Sequence, residues 1–144
     1  MKCVYVGSDH AGYGLKEFMK PYIAGLGYEV VDSGCFSEGS CDYPNFAHNV
    51  CKNVRNNAEN LGILICGTGI GMSMAANRFK GIRAALCANE YQARMSKAHN
   101  NANVLCLGSR VIGQDLALSI IQVWLESEFE GGRHQRRVDL IESL

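Results

Sequence analysis

A cysteine stands at the end of a short apolar run, and three glycines follow it at alternate positions: Cys66, then Gly67, Gly69 and Gly71. The run from Gly62 to Cys66 reads as a buried strand rather than an amphipathic one. Beyond the glycines, Met72, Met74, Ala75 and Ala76 begin a helical pattern. A strand, a glycine turn and a helix start make an anion site, because bare backbone N–H groups and the positive end of the helix both face it. Thiols at such a place are drawn toward thiolate, the reactive form. Thr68 sets a hydroxyl inside the same loop. The pattern is neither the dinucleotide G-x-G-x-x-G nor the nucleotide loop G-x-x-x-x-G-K-[ST]. Taken alone, the stretch also reads as a tight turn with Cys66 a small buried hydrophobe.

Other residues widen the inventory. Asp9 and His10 follow the first apolar run, where a strand should end and a helix begin. Ligands of open α/β sheets bind at such carboxyl ends. Arg110 closes a later strand in the same way, and His99 sits among asparagines just before it. Arg133 and Arg137 are four apart, so on a helix they share a face able to grip a phosphate, or they form a solvated tail. His10 alone fits a capping residue, and His99 alone a polar loop. Tyr43 and Asn100 carry no signal of their own. Together these residues offer a thiolate base, an imidazole acid or base, backbone donors and arginines. That set suits proton transfer beside a carbonyl on a phosphorylated small molecule. With no metal triad and no nicotinamide fingerprint in the sequence, the expectation is no metal and no cofactor.

The elements that must hold these residues alternate along the chain. Strands are predicted over Cys3–Val6, Tyr28–Asp32, Gly62–Cys66, Ile82–Cys87 and Val104–Leu107. A helix with apolar residues at Leu15, Phe18, Met19, Tyr22, Ile23 and Leu26 follows the first strand. Pro21 predicts a kink there or a second turn. A second helix starts near Asp42 or Tyr43, with Pro44 at its first position. A third runs to about Phe79, a short one covers Glu90–Lys97, a long one covers Gly113–Glu126, and a last one covers Val138–Leu144. Residues 130–137 read as a link. Five strands alternating with helices predict a parallel sheet covered on both faces.

Length and composition agree with one domain, residues 1–144. The apolar fraction of 47% suffices for a core, and 14 basic residues balance 14 acidic ones. Such balance argues against nucleic acid or a membrane surface as partner. No apolar run is long enough for a membrane span, and no signal peptide is expected. The seven cysteines include no C-x-x-C pair. Cys3, Cys87 and Cys106 fall in apolar runs and are expected in the core, as in a reduced, cytoplasmic protein.

Six spaced segments carry a resemblance. Gly7-Ser8-Asp9-His10-Ala11-Gly12, Asp42-Tyr43-Pro44, Ile65-Cys66-Gly67-Thr68-Gly69-Ile70-Gly71, Ala98-His99-Asn100, Leu107-Gly108-Ser109-Arg110 and Glu130-Gly131-Gly132-Arg133-His134-Gln135-Arg136-Arg137-Val138 resemble the type B ribose-5-phosphate isomerases, in order and over essentially the whole chain. The wider family includes galactose-6-phosphate and allose-6-phosphate isomerases, and one branch places Glu where this chain has Met72. The resemblance implies a Rossmann-like three-layer α/β/α sandwich with a five-stranded parallel sheet. It implies aldose–ketose isomerisation of ribose 5-phosphate and ribulose 5-phosphate, in the pentose phosphate pathway. It implies a homodimer or dimer of dimers with the site at the subunit interface. By similarity, Cys66 moves the proton between C1 and C2, His99 helps open the furanose ring, and Asp9 assists at the ring oxygen or hydroxyls. Amides of Gly67, Thr68, Gly69, Ile70 and Gly71 would hold the enediolate. His10, Arg110, Arg133 and Arg137 would bind phosphate, and Tyr43 and Asn100 the sugar. The nearest alternatives are the same chemistry on a hexose 6-phosphate, and a non-catalytic sugar-phosphate-binding protein.

Overall fold

The computed structural model describes residues 2–144. Its elements are β1 (Cys3–Ser8), α1 (Tyr13–Gly25), β2 (Glu29–Asp32), α2 (Tyr43–Val54), β3 (Leu61–Cys66), α3 (Ile70–Ala76), β4 (Ala84–Leu86), α4 (Glu90–Ala98), β5 (Val104–Gly108), α5 (Gln114–Glu126) and α6 (Arg133–Glu142). One five-stranded sheet runs in the order β2-β1-β3-β5-β4, and every pair is parallel. Parallel neighbours need crossovers, which the helices supply. All strands therefore finish at one edge of the sheet, the carboxyl edge. Each crossover helix returns the chain to the opposite, amino edge.

β3 lies at the centre, and all six of its residues are buried. Its side chains alternate between two layers, as a strand's must. Ile63 and Ile65 join the core under α1, α4 and α5, while Leu64 and Cys66 join the core under α2 and α3. Leu105 and Leu107 of β5 repeat the first choice, Val104 and Cys106 the second. Each fully buried Ile or Leu contributes about 1.5–3 kcal/mol. The apolar runs at the sheet's centre thus produce the expected three-layer sandwich.

Three boundaries differ from expectation, each for a local reason, and α1 is not divided at Pro21. α1 continues through Pro21, because that residue is exposed and the carbonyl it leaves unpaired can face water, while Leu15, Met19 and Ile23 pin the helix to the sheet. α3 stops at Ala76. The Asn77 side chain then donates to the Ala84 carbonyl at 2.9 Å and accepts from the Ala84 N–H at 2.8 Å, turning the chain into β4. β4 is shorter than expected, with the Arg83 N–H given to the Asn103 side chain instead of a strand. α6 begins at Arg133 rather than Val138. Gly131 and Gly132, at φ of 68° and 56°, make the turn, and His134 and Val138, one helical turn apart, bury its inner face. Cys87 and Cys106 are buried as expected, whereas Cys3 is half-exposed.

Lys16, to which sequence reasoning assigned no role, is wholly buried. Its ammonium donates to both Asp32 oxygens, at 2.7 and 2.9 Å, and to the Cys35 carbonyl. Burial pushes the Asp32 carboxyl up, but hydrogen bonds from Lys16, Lys20 and the Gly34 N–H outweigh it and hold Asp32 below its ordinary value. The loop after β2 is thereby fastened. It is laced to β1 as well: the Ser8 N–H donates to Gly34 at 2.7 Å and the Cys35 N–H to Ser8 at 2.9 Å.

Candidate active site

At the carboxyl edge, Cys66 ends β3 and its Sγ accepts the Gly69 N–H at 3.1 Å. That backbone N–H fixes the sulfur at the mouth of the glycine loop. The thiol is 5% exposed and stands at the rim of the α2–α3 core beside Met72 and Ala47. Gly69 adopts the left-handed region, φ 79°, and a Cβ there would lie 2.5 Å from Leu86 Cδ1 and 3.0 Å from the Leu107 backbone. Glycine is therefore required for the turn that brings the N–H onto the sulfur. Thr68 is exposed and its hydroxyl accepts the Ile70 N–H at 3.2 Å. Because α3 has only seven residues, the donors facing an anion here are the loop amides more than a helix dipole.

The loops after β1 and β5 close around this one. The Asp9 N–H donates to Ile65 at 3.1 Å, and its carboxylate accepts the Gly12 N–H at 3.0 Å. His10 Nδ1 is buried and takes no hydrogen bond among the described residues. The Ser109 N–H donates to Cys66 and the Arg110 N–H to Gly67, each at 2.9 Å. The Arg110 guanidinium lies over Gly67, where a Cβ would come within 3.3 Å of its Nη1. The Tyr43 ring covers Gly71 in the same manner, with ring carbons 2.7 Å from the place of a Cβ. The Arg110 guanidinium and the Tyr43 ring thus lie against the thiol loop, and the loop that carries Asp9 and His10 is tied to the same strand end.

His99, Asn100, Arg133 and Arg137 lie elsewhere. His99 caps the end of α4, which has carried the chain back to the amino edge. Six residues of β3 separate that edge from Cys66, about 20 Å at ~3.3 Å per residue. The start of α6 is tied to the same edge by the Glu130 N–H donating to Ala98 at 3.0 Å. His99 stacks on His134, with ring centroids 4.1 Å apart and planes at 11°. Glu130 Oε1 lies 3.8 Å from His99 Nε2 and 3.6 Å from His134 Nε2. Burial, then the neighbouring His99 and the Arg133 and Arg137 cations, push His134 below its ordinary value, against the pull of Glu130. Asn100, Arg133 and Arg137 are exposed beside this stack.

Sequence reasoning assigned no role to Glu130 or His134. Their spacing of four, with Val138 four further on, is the signal that could have found them. The His99, Glu130 and His134 donor atoms all lie within 4.8 Å of one another. The two imidazoles, however, are parallel, so their lone pairs run side by side instead of converging on a cation. That geometry suits two rings sharing one carboxylate.

A family described as "Ribose/Galactose Isomerase" matches residues 4–141. The chain is 46% identical to "Ribose-5-phosphate isomerase B" of Escherichia coli (strain K12), over 100% of this chain and 97% of that one. It also resembles the solved structure of Clostridium thermocellum ribose-5-phosphate isomerase B, with TM-score 0.96 and 50% identity over 98% and 95% of the two chains. The Mycoplasma genitalium structure of that name, with bound ribulose 5-phosphate, superposes with TM-score 0.95 and 43% identity, covering 98% and 94%.

Proposed function

The chain belongs to the ribose/galactose isomerase family, and from that premise we propose how its residues carry out the reaction. It is a ribose-5-phosphate isomerase that interconverts D-ribose 5-phosphate and D-ribulose 5-phosphate through an enediolate. The observation that carries the residue assignment is the Cys66 sulfur, held by the Gly69 N–H at the carboxyl end of the central strand. As thiolate, Cys66 takes the proton from C2 of the open-chain aldose. The electron pair moves into the enediolate, a proton passes between the two oxygens, and the thiol returns a proton to C1. Stabilising the enediolate is the larger demand, and each well-aimed donor among the Gly67–Gly71 amides and Thr68 contributes about 3–4 kcal/mol in a dry site. General base catalysis by Cys66 adds roughly 10²–10⁴-fold.

Phosphate binds at His10 and Arg110. The two residues stand in the loops after β1 and β5, which are both tied to the end of β3. Tyr43 contacts the sugar and Asp9 its ring oxygen or hydroxyls. Ring opening belongs to His99, with Asn100 on the sugar and Arg133 and Arg137 on the phosphate. A separation of about 20 Å prevents one chain from presenting both sets to a single pentose phosphate. We therefore assign the enzyme a two-fold symmetric dimer, or a dimer of dimers, in which the amino-edge set of one copy covers the thiol loop of the other. No helix among the described residues is long and apolar enough to cross a membrane. A thiol base needs a reducing compartment, so we place the enzyme in the cytoplasm. The reaction run in deuterium oxide tests the chemistry: deuterium enters at C2 of ribose 5-phosphate recovered from ribulose 5-phosphate, and Cys66→Ala abolishes that entry. Exchange that survives the substitution would assign the base to another residue.

A further inference from the structure

A groove of about 600 Å³ opens at the amino edge. The chain as a whole is balanced in charge, with 14 residues of each sign. The groove is not. Lys2, Arg55, Lys80, Arg83 and Lys97 line it, against Glu59 and Glu128. Arg83 is committed, with its guanidinium paired to Glu142 at 2.5 Å and given to the Asn101 carbonyl at 2.8 Å. Lys2, Arg55, Lys80 and Lys97 have no carboxylate within 4.0 Å among the described residues.

Lys97 is the member that a solvated surface does not explain. Its ammonium is sunk to 4.6 Å from the centroid of the buried Trp124 ring. Burial, then repulsion from Lys2, push it down to about 8, and Glu128 pulls only weakly the other way. The ring offers Lys97 a cation–π contact but no countercharge, and an anion in the groove would supply one. Val54, Leu61 and Phe129 give the groove an apolar wall beside the charges.

We propose that this groove is a second binding site, for a small phosphate-bearing anion, distinct from the thiol loop at the other end of the sheet. Two or more of the uncommitted cations grip the phosphate oxygens, and the apolar wall receives a small organic body. The ligand class is a phosphorylated metabolite of low molecular mass; a nucleic acid does not suit a chain without net positive charge.

Trp124 is the chain's single tryptophan, so its fluorescence reports on the ammonium above it. The whole protein titrated with inorganic pyrophosphate, against sodium chloride of equal ionic strength, shows a saturable change. Calorimetry of the same titration gives the affinity independently of the tryptophan. Lys97→Gln weakens it about tenfold, as does the exposed pair Arg55→Gln with Lys80→Gln, which leaves the buried parts of the groove untouched. Arg133→Met with Arg137→Met removes the heat that belongs to the substrate's own phosphate site and leaves the tryptophan-reported affinity of the groove unchanged. No saturable heat beyond the chloride control overturns the proposal. So does an affinity that the Arg55–Lys80 pair leaves intact, or a tryptophan-reported one that the Arg133–Arg137 pair abolishes.

Discussion

The two edges of the sheet are built differently. At the carboxyl edge the parts are tied by main chain: Asp9 to Ile65, Ser109 to Cys66, Arg110 to Gly67, and Gly69 onto the sulfur itself. At the amino edge His99 is held by a ring stack and a shared carboxylate, and its side chain remains 41% exposed. Backbone ties fix an atom without side-chain entropy, which suits a base and an oxyanion cradle. Side chains presented outward suit a surface meant for another molecule. The difference teaches that one edge is finished within the chain, whereas the other, on the dimer proposed above, is used on a neighbour.

The comparison is broken most severely by removing the finished edge's one reactive atom. Cys66→Ala lowers kcat by roughly 10²–10⁴-fold and leaves calorimetric substrate binding nearly intact; a variant keeping most of its kcat would strip the loop of its base. Next in size is Lys16→Met. It leaves the Asp32 charge partly buried and lowers urea-measured stability by about 3 kcal/mol, the low end of the range, because Lys20 still pairs with Asp32 at 2.8 Å. A loss under about 1 kcal/mol would mean the pair contributes no more than a surface bridge. The smallest effect sharpens the other edge. His134 is held below its ordinary value of 6.5, so the folded chain favours the neutral ring. The unfolded chain takes the proton first as pH falls, and stability declines below about pH 6.5. His134→Gln flattens that part of the decline in unfolding curves taken between about pH 7.5 and 5.5. An unchanged slope would place the burden on another group.

How far these edges were legible depends on how local each signal is. The thiol loop was readable because strand, glycines and helix start are contiguous, and the central strands because β3 and β5 are apolar throughout. Arg133 and Arg137 were readable as one helical face, but not the helix start, since charged residues hide the buried His134–Val138 pair. Lys16 gave no sign of burial, because burying an ammonium is costly and only the tertiary partner Asp32 makes it possible. The His99–His134 stack joins residues far apart in sequence, and no spacing rule reaches across such a distance.

The central claim is that the two edges act together only between copies. Cys66→Ala disables one edge and His99→Asn the other, so each homodimer is inactive in ring-closed substrate turnover. Co-expressed, the two variants form mixed dimers in which one site is intact, and activity returns to about a quarter of the wild-type level. Activity that stays at the level of the separate variants, in mixed dimers confirmed by mass, would mean that thiol and imidazole serve the same site from one chain.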